Sequence, residues 1–248
     1  AILNKKTAIW EPNARPGMAN RWLSKFVKKC FVVFEEARVF LSSKNIEVIG
    51  MPTRDEIEIQ NQVKPAFSGV HPQEFHILHY VGSQGARSIG RALCAAVQKG
   101  GAWLEGTKIV HQTGSLDYQD FLERYKGRQE RVEILEFIYE MPKYYQWADL
   151  VICRGGASSL NELAAFGLPA IVIPLPLADA HQEQNALSLV DSKAVILLRQ
   201  KDLTPERLIE EIENLRRQPE LREMLAKNIK KFYKPQAARY LAESLLKM

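Results

Sequence analysis

From residue 75 onward, short and continuously apolar β-branched runs alternate with amphipathic helical patterns, and this alternation limits the possible architecture more than any other feature of the chain. Runs at 75–81 (FHILHYV), 107–111 (TKIVH), 131–136 (RVEILE), 149–153 (DLVIC), 169–174 (PAIVIP) and 194–198 (AVILL) read as strands. Helical patterns fall between them near 86–98, 118–126, 141–147, 158–166 and 182–191. Strands separated by helices join through right-handed crossovers into a parallel sheet. Helices then cover both faces, so such strands lose the polar and apolar alternation of a half-exposed sheet. The expected fold class is α/β, with a Rossmann-like domain built on a parallel sheet.

The flanks read differently. Thr204-Pro205-Glu206 is a helix start, with Leu208, Ile209, Ile212 and Leu215 at helical spacing. A second helix is expected over 219–231, and Pro235 separates it from a last helix reaching Met248. Upstream lie a strand (TAIW), a Pro-Gly turn at 16 and 17, a helix over 18–27, and strands at 30–34 and 46–49. These make part of a second Rossmann-like domain, and the chain is expected to begin inside it. The division expected is 1–57 for the partial amino-terminal domain, 58–231 for the carboxyl-terminal domain and 232–248 for a helix packing back on the amino-terminal domain.

Composition narrows the classes. With 248 residues, 46% hydrophobic, the chain can bury one large core or two smaller ones. Its longest apolar runs are too short and too often broken by proline to span a bilayer. Cys30, Cys94 and Cys153 form no C-x-x-C pair and stand in apolar segments, so neither a disulfide framework nor a zinc site is expected. A net charge of +5 favours anionic partners without choosing among them.

Chemistry is expected at the turns. In "CRGGASSLNEL" a strand passes through Gly155 and Gly156 into a helix, and the exposed N–H groups of Ala157, Ser158 and Ser159 make a cradle for a diphosphate. Glu162 has two readings. It completes an S-x-x-E capping box with Ser159, or it accepts hydrogen bonds from vicinal ribose hydroxyls. Gly82, Ser83, Gln84 and Gly85 form a second small-residue turn, which fits neither G-x-G-x-x-G nor G-x-x-x-x-G-K-[ST]. Gln182 and Asn185, three apart on one helix face beside His181, present amides suited to sugar hydroxyls. His111 ends another strand on the same edge and, taken alone, reads as structural. Together these turns point to a nucleotide-sugar site.

The segments "GSQGARS", "HQTG", "EFIYEM", "CRGGASSLNELAAFGLPAIVIPLP" and "HQEQNAL", in this order, resemble the carboxyl-terminal domain of the MurG glycosyltransferases. "WEPNARPGMANRWLSKF" and "GMPTR" extend the resemblance upstream. The resemblance implies a two-domain GT-B enzyme that moves N-acetylglucosamine from UDP-GlcNAc to the C4 hydroxyl of undecaprenyl-diphospho-MurNAc-pentapeptide, with inversion, at the cytoplasmic face of the bacterial inner membrane. It places Ser83, Gln84 and Gly85 near the donor phosphates, and Phe137, Ile138 and Met141 around the uracil. Ala157, Ser158 and Ser159 would take the diphosphate, Glu162 the ribose, and Gln182 and Asn185 the sugar hydroxyls. Glu11, Asn13, Asn20 and Arg54 match acceptor-side and linker positions. The chain departs from the family pattern at Trp10, Pro12, Met51, Val81 and Gly155.

The family's glycine-histidine loop is absent from this sequence, and the general base is expected in that missing amino-terminal segment, so no catalytic residue is assigned. With no Asp-x-Asp motif, no metal or other cofactor is expected; helix N-termini with Arg154 or Arg87 would stabilise the departing diphosphate. The mixture of Arg21, Trp22, Lys25, Phe26, Lys28 and Lys29 suits an anionic membrane surface, although an ordinary amphipathic helix explains it as well. Nucleic acid is not an expected partner. The alternatives are a GT-B transferase using a UDP-sugar with another lipid or small acceptor, and a nucleotide-sugar-binding protein without turnover.

Overall fold

The computed structural model describes residues 5–63, 74–80, 87–176 and 180–248. The first part of the chain gives β1 (Ala8–Glu11), α1 (Met18–Leu23), β2 (Lys29–Val32), β3 (Ile46–Val48) and α2 (Asp55–Val63). Then follow β4 (Phe75–His79), α3 (Arg87–Lys99), β5 (Thr107–Gln112), α4 (Tyr118–Arg124), β6 (Val132–Leu135), α5 (Met141–Trp147), β7 (Leu150–Cys153), α6 (Ala157–Phe166), β8 (Ala170–Val172), α7 (His181–Val190) and β9 (Ile196–Leu197). Three helices close the chain: α8 (Pro205–Arg217), α9 (Pro219–Lys230) and α10 (Ala237–Leu246).

Two parallel sheets result, a small one in the order β1-β2-β3 and a six-stranded one in the order β6-β5-β4-β7-β8-β9. In the larger sheet the order reverses between β4 and β7, the switch point at which open α/β sheets hold ligands. Its central strands are buried along their whole length. Successive residues feed two cores. Leu78, Val110, Val151 and Val172 pack with α5, α6 and α7, while Ile77, Ile109, Ile152 and Ile171 pack with α3 and α8. The expected α/β class and the strand and helix alternation are therefore observed.

Some boundaries differ. The helix expected over 18–27 stops at Leu23, because the buried Ser24 hydroxyl donates back to the Arg21 carbonyl at 2.7 Å and accepts from the Ser42 amide at 3.0 Å. A hydroxyl so engaged holds the chain in a turn, and Phe26 N–H bonds to Leu23 in a tighter repeat. Helix α2 was not expected; it crosses residue 57, and Ile57 is buried in the core that α5 and α6 share with the larger sheet.

Helix α10 returns to the small sheet. Lys29 Nζ lies 2.6 Å from Glu47 and donates to Ser244 Oγ at 2.7 Å, and Ser244 in turn donates to Glu47. Gly50 has φ +82°, and a Cβ there would fall 2.7 Å from Lys234 Cβ, so glycine is required by both backbone and packing.

Beneath the switch point, His79 and His111 face each other across β4 and β5 with ring centroids 4.6 Å apart. Burial holds His79 down to about 4 and His111 well below its usual range. In the unfolded chain a histidine takes its proton near pH 6.5, so stability is present above that value and is lost as pH falls towards 4. The slope is on the order of 1 kcal/mol per pH unit for each ring at most. Denaturant midpoints measured at pH 7 and pH 5 should show this loss, and equal midpoints would exclude it.

Candidate functional site

The carboxyl edge of the six-stranded sheet carries the Gly155-Gly156 turn singled out in the sequence and, after β8, the start of α7. β7 ends at Cys153, and the chain passes through Gly155 and Gly156 into α6, with Gly156 as N-cap and no side chain bonding the first amides. Those N–H groups lack intrahelical partners, and the helix dipole adds partial positive charge, so this turn is an anion site in geometry and field. Ala157 is buried, Ser159 is half-buried and Ser158 is exposed.

This boundary corrects the capping-box reading of Glu162. With Gly156 at the N-cap, Ser159 is the third helical residue and Glu162 lies a turn deeper. Its carboxylate instead accepts from the Tyr145 phenol at 2.7 Å through Oε2, while Oε1 stands 3.7 Å from the Arg54 guanidinium. Burial pushes the Glu162 carboxyl above its usual range, and the Tyr145 hydrogen bond and Arg54 act against that shift. Arg54, just before α2 in the segment joining the two sheets, thus meets a residue expected to contact donor.

Arg154 has a different role from the one expected. Its guanidinium is buried and donates to the carbonyls of Ile173 and Pro174 at 3.0 and 3.2 Å and to Ser88 Oγ at 3.0 Å. It braces the exit of β8 against α3, which removes it from the set available to a leaving diphosphate. Arg87 pairs with Asp117 at 2.7 Å on the exposed side of α3. Ser83, Gln84 and Gly85 lie outside the described residues.

After β6 the chain exposes Phe137, whose ring meets Tyr139 edge-on at 4.9 Å, while Ile138 and Met141 are buried beside it. These residues frame a shallow aromatic shelf next to α5. Gln182 and Asn185 fall one turn apart on α7 but differ in surroundings. Gln182 is half-buried, and its Oε1 accepts from the Leu175 amide at 3.0 Å. Asn185 is fully buried. Its Oδ1 accepts from Ala14 N–H at 2.8 Å, and its Nδ2 donates to Asn13 Oδ1 at 3.1 Å and to the Gly155 carbonyl at 3.2 Å.

Asn185 therefore ties the glycine turn of the larger sheet to the loop that follows β1. That loop is organised by Glu11, which is buried and accepts from Asn13, Gly17 and Asn20. Glu11, Asn13 and Asn20 are brought together, with Asn13 and Asn20 each donating to Glu11. Gly155 belongs to the same junction: a Cβ there would lie 2.4 Å from the Gln182 carbonyl, so the close approach of α7 requires glycine. Sequence reasoning missed Tyr80, Tyr145 and Ser88. The Met141 and Tyr145 spacing marks a buried helix face, but nothing in it points to a carboxylate seventeen residues on.

A family model described as the glycosyltransferase family 28 C-terminal domain matches residues 76–240. A UDP-N-acetylglucosamine--N-acetylmuramyl-(pentapeptide) pyrophosphoryl-undecaprenol N-acetylglucosamine transferase from Bdellovibrio bacteriovorus is 51% identical over 250 residues, covering 99% of this chain and 68% of that protein. The chain belongs to this transferase family. The protein of the same description from Myxococcus xanthus is 37% identical, over 98% of this chain and 62% of its own length. The chain thus spans about two thirds of these relatives. Among solved structures, Acinetobacter baumannii MurG superposes with a TM-score of 0.80 at 28% identity, over 100% of this chain and 69% of that one. The Neisseria meningitidis UDP-GlcNAc 2-epimerase, solved with UDP-GlcNAc, shares the fold with a TM-score of 0.61 at 16% identity, over 92% of this chain and 63% of that one. The expected family and GT-B architecture are thereby established.

Replacing Asn185 by alanine leaves the Ala14 amide and the Gly155 carbonyl without their buried partner. The expected cost is about 1–3 kcal/mol, with a lowered thermal midpoint. A midpoint equal to that of the unchanged protein would show that the junction does not depend on this amide.

Proposed function

We propose that the protein is an inverting N-acetylglucosaminyltransferase that binds UDP-GlcNAc at the carboxyl edge of its six-stranded sheet and transfers the sugar to the C4 hydroxyl of undecaprenyl-diphospho-MurNAc-pentapeptide. The observation that carries this reading is the pairing of an uncapped α6 N-terminus with an inwardly anchored Glu162 at the sheet's switch point, in a chain of this family. Diphosphate oxygens would meet the amides of Ala157, Ser158 and Ser159. The vicinal ribose hydroxyls would donate to Glu162, as they do to an acidic residue in dinucleotide folds. The uracil would lie on the shelf of Phe137, Ile138 and Met141, and Gln182 would read the sugar. Asn185, committed to the junction in this structure, would contact the sugar by exchanging one of its present partners.

The departing UDP needs stabilisation of its developing charge, which the α6 N-terminus supplies without a fixed metal in this reading. Ser83, Gln84 and Gly85 remain assigned to the donor phosphates, Glu11, Asn13 and Asn20 to the acceptor side and Arg54 to the linker between the two. Glu11, Asn13 and Asn20 would act on the acceptor through the shape of their loop. A polyprenyl acceptor places the enzyme peripherally at the cytoplasmic face of the inner membrane. Met18, Trp22 and Phe26 project from α1 and the turn after it, beside Arg21, Lys25 and Lys28, and suit that surface. No helix among the described residues is long and apolar enough to cross a membrane.

Glu162→Ala is expected to weaken UDP-GlcNAc binding by about 1–3 kcal/mol, the scale of losing hydrogen bonds to a charged group. Calorimetry checks this directly. Unchanged affinity together with a lowered melting temperature would assign Glu162 a structural role and remove the ribose contact. For the acceptor, a chain carrying the further residues found in its relatives should release UDP only with the lipid-linked muramyl-pentapeptide. Release with an unrelated acceptor, or binding without transfer, would overturn that part of the reading.

A further inference from the structure

Glu162 is held from below. Tyr145 is fully buried in the core against Phe166, with ring centroids 5.2 Å apart, and its hydroxyl reaches Glu162 Oε2 at 2.7 Å and the Tyr80 hydroxyl at 3.2 Å. A phenol has one proton to donate, and the shorter bond to an ionised oxygen is the stronger, so that proton belongs to the carboxylate. Tyr80 is likewise buried, just past the end of β4, with Ser159 and Cys153 as neighbours of its hydroxyl. A buried pair of tyrosines thus underlies both Ser159 and Glu162, which lie three residues apart on α6 and face the same turn.

We infer that Tyr145 is a positioning residue for the donor: its phenol fixes one oxygen of Glu162 inside the protein so that the other is presented to the vicinal diol of the ribose. The inference rests on the reading of Glu162 as the ribose acceptor. The two oxygens of the carboxylate have unequal surroundings, as such a role requires. Oε2 has a short bond to a fully buried partner, whereas Oε1 has, among the described residues, only the Arg54 guanidinium, exposed and beyond hydrogen-bond distance at 3.7 Å. Without the phenol, the glutamate side chain keeps its place on the helix but loses the contact that selects its rotamer. It also loses a hydrogen bond that favours its ionised form against desolvation. Tyr145 touches no ligand in this arrangement, so its effect on binding passes entirely through Glu162.

Tyr145→Phe removes the hydroxyl and keeps the ring against Phe166, so cooperative unfolding near the wild-type midpoint is expected. The test compares binding of UDP and 2′,3′-dideoxy-UDP by calorimetry to the unchanged protein, Tyr145→Phe and Glu162→Gln. Tyr145→Phe should weaken UDP roughly ten-fold, the size of one hydrogen bond to a charged group, and should leave 2′,3′-dideoxy-UDP, which offers Glu162 no hydroxyl, nearly unaffected. Equal weakening of both nucleotides would show a general packing role, and no weakening of either would show that Glu162 needs no support; each overturns the inference. Glu162→Gln reports separately on the reading beneath it. If that variant binds both nucleotides as the unchanged protein does, Glu162 is not the ribose acceptor, whatever Tyr145→Phe shows.

Discussion

A parallel sheet covered by helices on both faces can offer a ligand only its edges, and this restriction organises the rest of the molecule. The faces of the six-stranded sheet are occupied by two apolar cores, so neither is open to a polar nucleotide. Parallel strands all end on one side, and helices begin there with unpaired amides and the positive end of their dipoles. The anion site at Gly156 and Ala157 is therefore a consequence of connectivity. Strand order reverses between β4 and β7, and Tyr80, Tyr145 and Glu162 converge beside that reversal.

Polar side chains buried at this edge work mostly on the protein itself. Arg154 is spent on carbonyls of the β8 exit, Asn185 on the junction between the sheets, and Glu11 on its own loop. Each is a group whose burial would be costly without those bonds, and each fixes a turn of the chain. The close packing of α7 on Gly155 belongs to the same economy, because the backbone there comes nearer than any side chain would allow. His79 and His111 carry the opposite risk: neutral at pH 7, they become a liability when acid forces a proton on them.

Residues at the edge thus divide into those that hold the turns and those that remain open to a ligand. Ser158, Phe137 and Gln182 keep exposed or half-buried positions, and Glu162 Oε1 faces the exposed Arg54 guanidinium at 3.7 Å. The nucleotide-sugar reading draws on this second group, and the family relationship supplies the chemistry that such a group would serve.

The strand and helix alternation after residue 75 and the Gly155-Gly156 turn were determined by local pattern alone, since apolar periodicity and glycine act within a few residues. Helix α2, the early end of α1 and the partners of Glu162 were decided by tertiary structure. Ser24 reads as a helical residue until Ser42 takes its hydroxyl, and Glu162 reads as a cap until Tyr145 is folded beneath it. Arg154 illustrates the limit most directly. Its position beside a glycine turn suggests a phosphate ligand, yet the carbonyls of Ile173 and Pro174 claim it, because a buried cation goes to the nearest fixed acceptors and only the fold brings those within reach.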